Sequence, residues 1–167
     1  MLYLKEVNFI DIEKEYLFTK DMPVDENGLT NPWHGINRED FENIALKTMI
    51  SYSKGENLPE GYVPETFFFL WNDNEIVGQF RIRHYLTDSL REGAGHIGYF
   101  IKKEFRNKGF GKAGLKLTLE KAKEIIPEDE VYLRVNKDNI SSLKVMLSCG
   151  GEIHHEDENK YYVRIKR

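Results

Sequence analysis

The segment RNKGFGKAG, residues 106–114, constrains the fold more than any other stretch, because it stands between a strand-like run and a helical one. The run before it, HIGYFIK at 96–102, predicts a strand. From 111 to 126, Leu115, Leu119, Ala122 and Ile126 share one face of a helix that Pro127 ends. Glycines at such a junction let backbone approach a ligand closely, and the unpaired N–H groups of a helix's first turn favour an anion. Arg106, Lys108 and Lys112 add positive charge, although 28 Asp and Glu outnumber 24 Lys and Arg in the chain. The combination predicts a bound phosphate or pyrophosphate. A plainer reading is a tight loop carrying a solvated basic face.

Periodicity places the other elements. Residues 1–7 predict an edge strand, 9–19 a helix and 21–37 a polar loop containing Pro and Gly. Phe41, Ile44, Ala45, Thr48, Met49 and Tyr52 follow helical spacing and predict a helix over 38–54. Two runs rich in β-branched and aromatic residues, 66–71 and 75–84, flank Asn72-Asp73-Asn74 and predict a hairpin. A strand over 131–135, a short helix over 139–148 closed by Gly150-Gly151, and a hairpin turning at 156–159 complete the order β-α-α-β-β-β-α-β-α-β-β.

With 167 residues, no repeat and no linker, a single domain over 1–167 is expected, burying about 70% of its unfolded surface. The net charge of −4 argues against nucleic acid as a partner. Cys149 is the only cysteine, which excludes an intramolecular disulfide and a four-cysteine zinc site and suits a reducing compartment. No Asp, Glu or His spacing marks a metal site. The opening MLYLKEVNFIDIEKEY has no apolar signal stretch, and no window approaches a membrane span of ~18 apolar residues. A cytoplasmic protein without membrane association is expected.

Gly109-x-Gly111-x-x-Gly114 also satisfies the letters of a dinucleotide fingerprint, with Asp129 and Glu130 downstream. The context is poor, because residues 103–108 separate strand from glycine. Arg106-x-x-Gly109-x-Gly111 after HIGYFIKKEF instead resembles the (Gln/Arg)-x-x-Gly-x-(Gly/Ala) signature of the GNAT N-acetyltransferase superfamily. LRVNKDNISSLKVMLSCGG, 133–151, looks like that family's next strand, its asparagine turn and its short helix ending in glycine. The resemblance covers about residues 66–165, and residues 81–86 with 95–99 resemble a poorly characterised bacterial branch of predicted acetyltransferases.

The resemblance implies an α/β, GNAT-like acyl-CoA N-acyltransferase fold, a mixed and mostly antiparallel sheet flanked by helices; strands 96–102 and 131–135, joined by a crossover helix, are expected to pair in parallel. It implies acetyl transfer from acetyl-CoA, the co-substrate, to a small-molecule or peptide amine by direct attack on the thioester. Tyr99, Phe100 and Ile101 then form the strand edge that meets the pantetheine arm, an amide near Tyr99 or Phe100 serving the acetyl carbonyl. Backbone N–H groups from Asn107 through Lys108, Gly109, Phe110 and Gly111 to Lys112 receive the pyrophosphate, with Arg106 and Lys108 near phosphate or adenine-side oxygens. Asn139, which also suits a helix N-cap, and Ser142 map beside the pantetheine arm. Met146 stands where many relatives carry a tyrosine that protonates the departing thiolate. That departure favours a non-catalytic acyl-CoA sensor as the alternative.

His96 is the candidate base, with His84 behind it and a structural histidine as the plainer reading of either. The resemblance places the acceptor between the loop 21–37, with Trp33 and His34 as contacts, and the region 152–162. Asp21, Asp25, Glu26, Glu152, Glu156, Asp157 and Glu158 make those walls acidic, which predicts a cationic acceptor unless the carboxylates are simply solvated. Oligomeric state stays open, a homodimer among the options.

Overall fold

In the computed structural model, which describes residues 1–167, the centre is a hairpin of β4 (Glu65–Asn72) and β5 (Glu75–Arg83), turning on Asp73-Asn74. Successive side chains on a strand point to opposite faces, so β4 feeds two cores. Phe68 and Leu70 pack with Phe80, Ile82 and Leu115 on one side, while Phe67, Phe69 and Trp71 pack with Phe18, Phe41 and Met49 on the other. An edge strand β1 (Leu2–Glu6) pairs with β4, and β6 (Ile97–Ile101) pairs with β5, giving the order β1-β4-β5-β6.

Helix α1 (Ile12–Asp21) and a second helical run cover the Phe67 face. That run begins at α2 (Arg38–Asp40), passes through a π-helical turn at Phe41–Leu46 and continues as α3 (Lys47–Ser53). It matches the helix expected over 38–54, with one change of phase. The wider turn rotates Ile44 out to 53% exposure and brings Leu46 fully inside. Within the expected polar loop, β2 (Asp25–Glu26) and β3 (Leu29–Thr30) form a small hairpin. A five-residue helix α4 (Asp88–Glu92), capped by Thr87, occupies a stretch expected to be turns.

Helices α5 (Phe110–Ile125) and α6 (Ile140–Ser148) lie on the Phe68 face, α5 with Gly114 against the Phe80 ring. The remaining strands, β7 (Glu130–Asn136), β8 (Glu152–Glu156) and β9 (Lys160–Lys166), form a separate sheet ordered β7-β9-β8. Every ladder is antiparallel. The parallel ladder expected between 96–102 and 131–135 is therefore not formed. One backbone bond, from His96 N–H to Tyr132 C=O at 2.7 Å, joins the two sheets there. No helix is long and apolar enough to cross a membrane.

Candidate active site

The two sheets touch at one point and then part. Gly95, at φ +69°, turns the chain so closely past β7 that a Cβ would lie 2.2 Å from the Tyr132 carbonyl oxygen. His96 then pins the junction. Its Nδ1 accepts from Tyr132 N–H at 2.9 Å, which leaves Nε2 to donate to Glu128 Oε2 at 3.0 Å. Beyond this pin, Gly98 to Ile101 of β6 and Arg134 to Asn136 of β7 line a cavity of about 320 Å³.

Strand register decides which backbone groups face that gap. Arg83 N–H bonds the His96 carbonyl and Lys102 N–H bonds the Val77 carbonyl, so the hydrogen-bonded pairs with β5 alternate between these limits. Gly98 and Phe100 point their amides at β5. Ile97, Tyr99 and Ile101 point theirs away from it, toward the cavity. Of the two amides expected near the acetyl carbonyl, that of Tyr99 faces the cavity and that of Phe100 is turned toward β5, the Phe100 ring packing against Phe18 at 6.0 Å.

At the open end stands the start of α5. Gly109, the N-cap, adopts φ +83° and offers no side-chain cap, so the N–H groups of Phe110, Gly111 and Lys112 lack helical partners. A Cβ on Gly111 would meet only Val145 and Ile101, at 3.5 and 3.8 Å, so protein packing alone does not require this glycine. Asn107, Gly109, Gly111 and Lys112 line the cavity. Lys108 and Phe110 do not. The Lys108 ammonium lies over the Phe105 ring and Phe110 packs edge-on against that ring. Arg106 is a brace, its Nε donating to the Ile101 carbonyl at 2.9 Å and its guanidinium pairing with Glu26.

On α6, the Asn139 side chain accepts from Ser142 N–H, so it is the N-cap. The Tyr99 ring stacks on Phe80 and its hydroxyl meets Ser142 Oγ at 2.5 Å, spanning from β6 to α6 beside buried Met146. Burial pushes the Tyr99 hydroxyl up to about 12, against the lowering effect of Ser142, so it carries its proton at neutral pH. Local sequence pattern points to the Tyr99 backbone alone; the proximity of its hydroxyl to α6 is a tertiary contact that no local pattern carries.

His96 is not available as a base: it is 0% exposed, both ring nitrogens are engaged, and it does not line the cavity. His84 is also off the cavity, its Nε2 2.7 Å from Thr66 Oγ1. Trp33 packs edge-on over Phe67 and His34 Nδ1 meets the Met22 carbonyl; neither reaches the cavity. Of the expected acidic wall, only Glu26 lines it, already paired with Arg106.

The side chains that do line the end near the pin are Glu65, Arg81, Arg83 and Arg134. Glu65 stands opposite Arg83 in the β4–β5 register, and Arg81 lies two residues along the same face. Arg81 is 8% exposed, its Nε donating to Gln79 Oε1 at 2.9 Å. Burial brings its guanidinium down to about 10, so it remains charged at neutral pH. Glu65 Oε1 is shut off from solvent and has no hydrogen-bond partner. The alternation of Arg81 and Arg83 in an otherwise apolar hairpin was the available signal for this group.

A sequence profile described as the acetyltransferase (GNAT) family matches residues 31–150. No curated protein matches the chain in sequence. Among solved structures, the Campylobacter jejuni N-acetyltransferase PseH in complex with acetyl coenzyme A aligns with a TM-score of 0.61 at 20% identity, covering 100% of this chain and 99% of that one. The ribosomal-protein-S5-alanine acetyltransferase from Vibrio fischeri aligns at 0.69 and 15% identity, over 99% and 92%. The spermidine N-acetyltransferase from Vibrio cholerae in complex with CoA and spermine aligns at 0.67 and 14%, over 99% and 95%.

Proposed function

Because the chain belongs to the GNAT acetyltransferase family, we propose that it moves an acetyl group from acetyl-CoA to an amine by direct attack of the neutral amine on the thioester. The observation that carries this reading is the gap between β6 and β7, which leads from unpaired backbone groups to an uncapped, glycine-bearing helix start. A pantetheine arm fits that gap as an added strand, meeting the outward groups of Tyr99 and Ile101. Its pyrophosphate fits the free N–H groups at Phe110, Gly111 and Lys112. The Tyr99 N–H is aimed where a thioester carbonyl gathers negative charge during attack.

Two proton movements complete the reaction. With His96 sealed, Glu65 is the unpaired carboxylate of the cavity, and it takes the amine's proton directly or through a water. The Tyr99 hydroxyl, held by Ser142, supplies a proton to the departing thiolate in place of the tyrosine that Met146 replaces. The reading takes residues 1–167 as one functional domain.

Met146 also favours a second reading, an acyl-CoA sensor that binds without transfer. Calorimetry with acetyl-CoA, CoA and NAD, followed by thiol release over an amine panel, separates the cases. Acetyl-CoA binding with amine-dependent thiol release is expected. Binding without release supports the sensor, and tight NAD binding without CoA binding overturns both. Gly111→Asp, which sets a carboxylate where backbone meets the pyrophosphate, is expected to weaken acetyl-CoA binding at least about tenfold while the protein stays folded. Unchanged affinity rejects the loop assignment.

A further inference from the structure

We infer that the acceptor is an amine that also carries an oxyanion, a carboxylate or a phosphate, seated against Arg81, Arg83 and Arg134 with its amine toward Glu65. The inference rests on the acetyl-transfer reading above. Three arginines, two from one sheet and one from the other, line the cavity, and none has a carboxylate within ion-pair distance. Arg83 Nη1 finds only the Gly95 carbonyl, at 3.2 Å. Arg81 is buried and turns Nε to a neutral amide. Lys160 adds a fourth cation, held by Asn136 Oδ1 at 2.7 Å.

Buried charges are ordinarily paired, because removing an ion from water is expensive. Glu65 alone does not neutralise this group, and its own Oε1 is unmatched. The excess does not reflect a basic protein, since the whole chain carries a net charge of −4. An ammonium and an oxyanion on one small molecule would satisfy both signs at once, the oxyanion in the planar fork geometry that arginine favours.

The phosphates of acetyl-CoA are placed elsewhere. Arg83 lies opposite His96, five residues before Ile101, and a strand rises about 3.3 Å per residue, so the arginine end is roughly 16 Å from the loop at the far end of β6. This cluster opens on the Phe67 face of the sheet, while Tyr99 and Ser142 occupy the α5 and α6 side. Acceptor and cofactor therefore approach the gap from opposite faces.

The test is acetyl-CoA-dependent thiol release with three acceptor sets: amino acids and dipeptides, phosphorylated amines such as phosphoethanolamine, and neutral or polycationic amines including amino-acid amides, ethanolamine and spermidine. Oxyanion-bearing amines are expected to exceed their neutral counterparts at least about tenfold in kcat/KM, and the first two sets tell carboxylate from phosphate. Arg83→Gln and Arg134→Gln are expected to raise the acceptor KM roughly 10–100-fold and leave the acetyl-CoA KM unchanged, with Arg83→Lys recovering part of the loss. Equal or better turnover of spermidine or of the amides overturns the inference and leaves acetyl transfer standing. So does an acceptor KM unmoved in both glutamine variants. Acetyl-CoA binding with no turnover of any oxyanion-bearing amine also overturns the inference, and leaves acetyl transfer standing only if another amine reacts; with none, the sensor reading is supported. Failure to bind acetyl-CoA at all sinks the acetyl-transfer reading, and this inference with it.

Discussion

At the scale of single residues, His96 holds the splayed sheets together. Its Nδ1 satisfies an amide of β7 while Nε2–H satisfies Glu128. His96→Gln strands one of these groups, and the loss of stability is expected at about 1–3 kcal/mol by denaturant unfolding. A histidine acting as base would instead dominate the acid limb of the pH–rate profile; that limb is expected to survive in the variant. Burial holds the ring below its ordinary 6.5, against the raising effect of Glu128. An unfolded chain then takes up a proton first on acidification, so this contribution is complete above pH 6.5 and lost as pH falls below it. Between pH 7 and 5 the melting temperature of the wild type is expected to fall relative to that of His96→Gln, while buried Glu15, its carboxyl pushed up to about 8, acts with the opposite sign in both proteins. Burial depresses His84 in the same direction as His96, which leaves a residual slope. Nothing in the sequence separated the base from the pin, because burial and the distant partner Glu128 decide between them.

Elements were legible where periodicity was long. The helix at Phe110–Ile125, the β4–β5 hairpin and the glycine-rich junction followed from local pattern, as did Asn139 as a cap. Helix α4 escaped because five residues are too few to show a period. The parallel ladder was wrongly expected because a crossover helix fixes neighbourhood, not how far two strands stay together. Glycines of one motif also divide by role. At Gly114 a Cβ would fall 2.4 Å from the Phe80 ring, whereas Gly111 has ordinary clearance. Gly114→Ala is expected to lower stability by about 1–3 kcal/mol with acetyl-CoA affinity retained by the folded fraction. The opposite pattern, a stable protein with lost affinity, would assign Gly114 to the ligand rather than to packing.

Across the whole molecule, the arginine group is what local sequence could not show. Arg81 and Arg83 come from one sheet and Arg134 from the other, so their meeting depends on how β6 and β7 are joined. The acidic segments that suggested a cationic acceptor lie mostly outside the cavity. One strand also carries two populations of amides in alternation. Gly98 and Phe100 are held by β5, while Tyr99 and Ile101 face the gap. In hydrogen–deuterium exchange of the free protein, Tyr99 and Ile101 are expected to label ahead of their immediate neighbours, giving a two-residue beat along β6. Saturating acetyl-CoA is expected to slow these two positions most and erase the beat, making the strand its own spectroscopic record of whether the gap is filled.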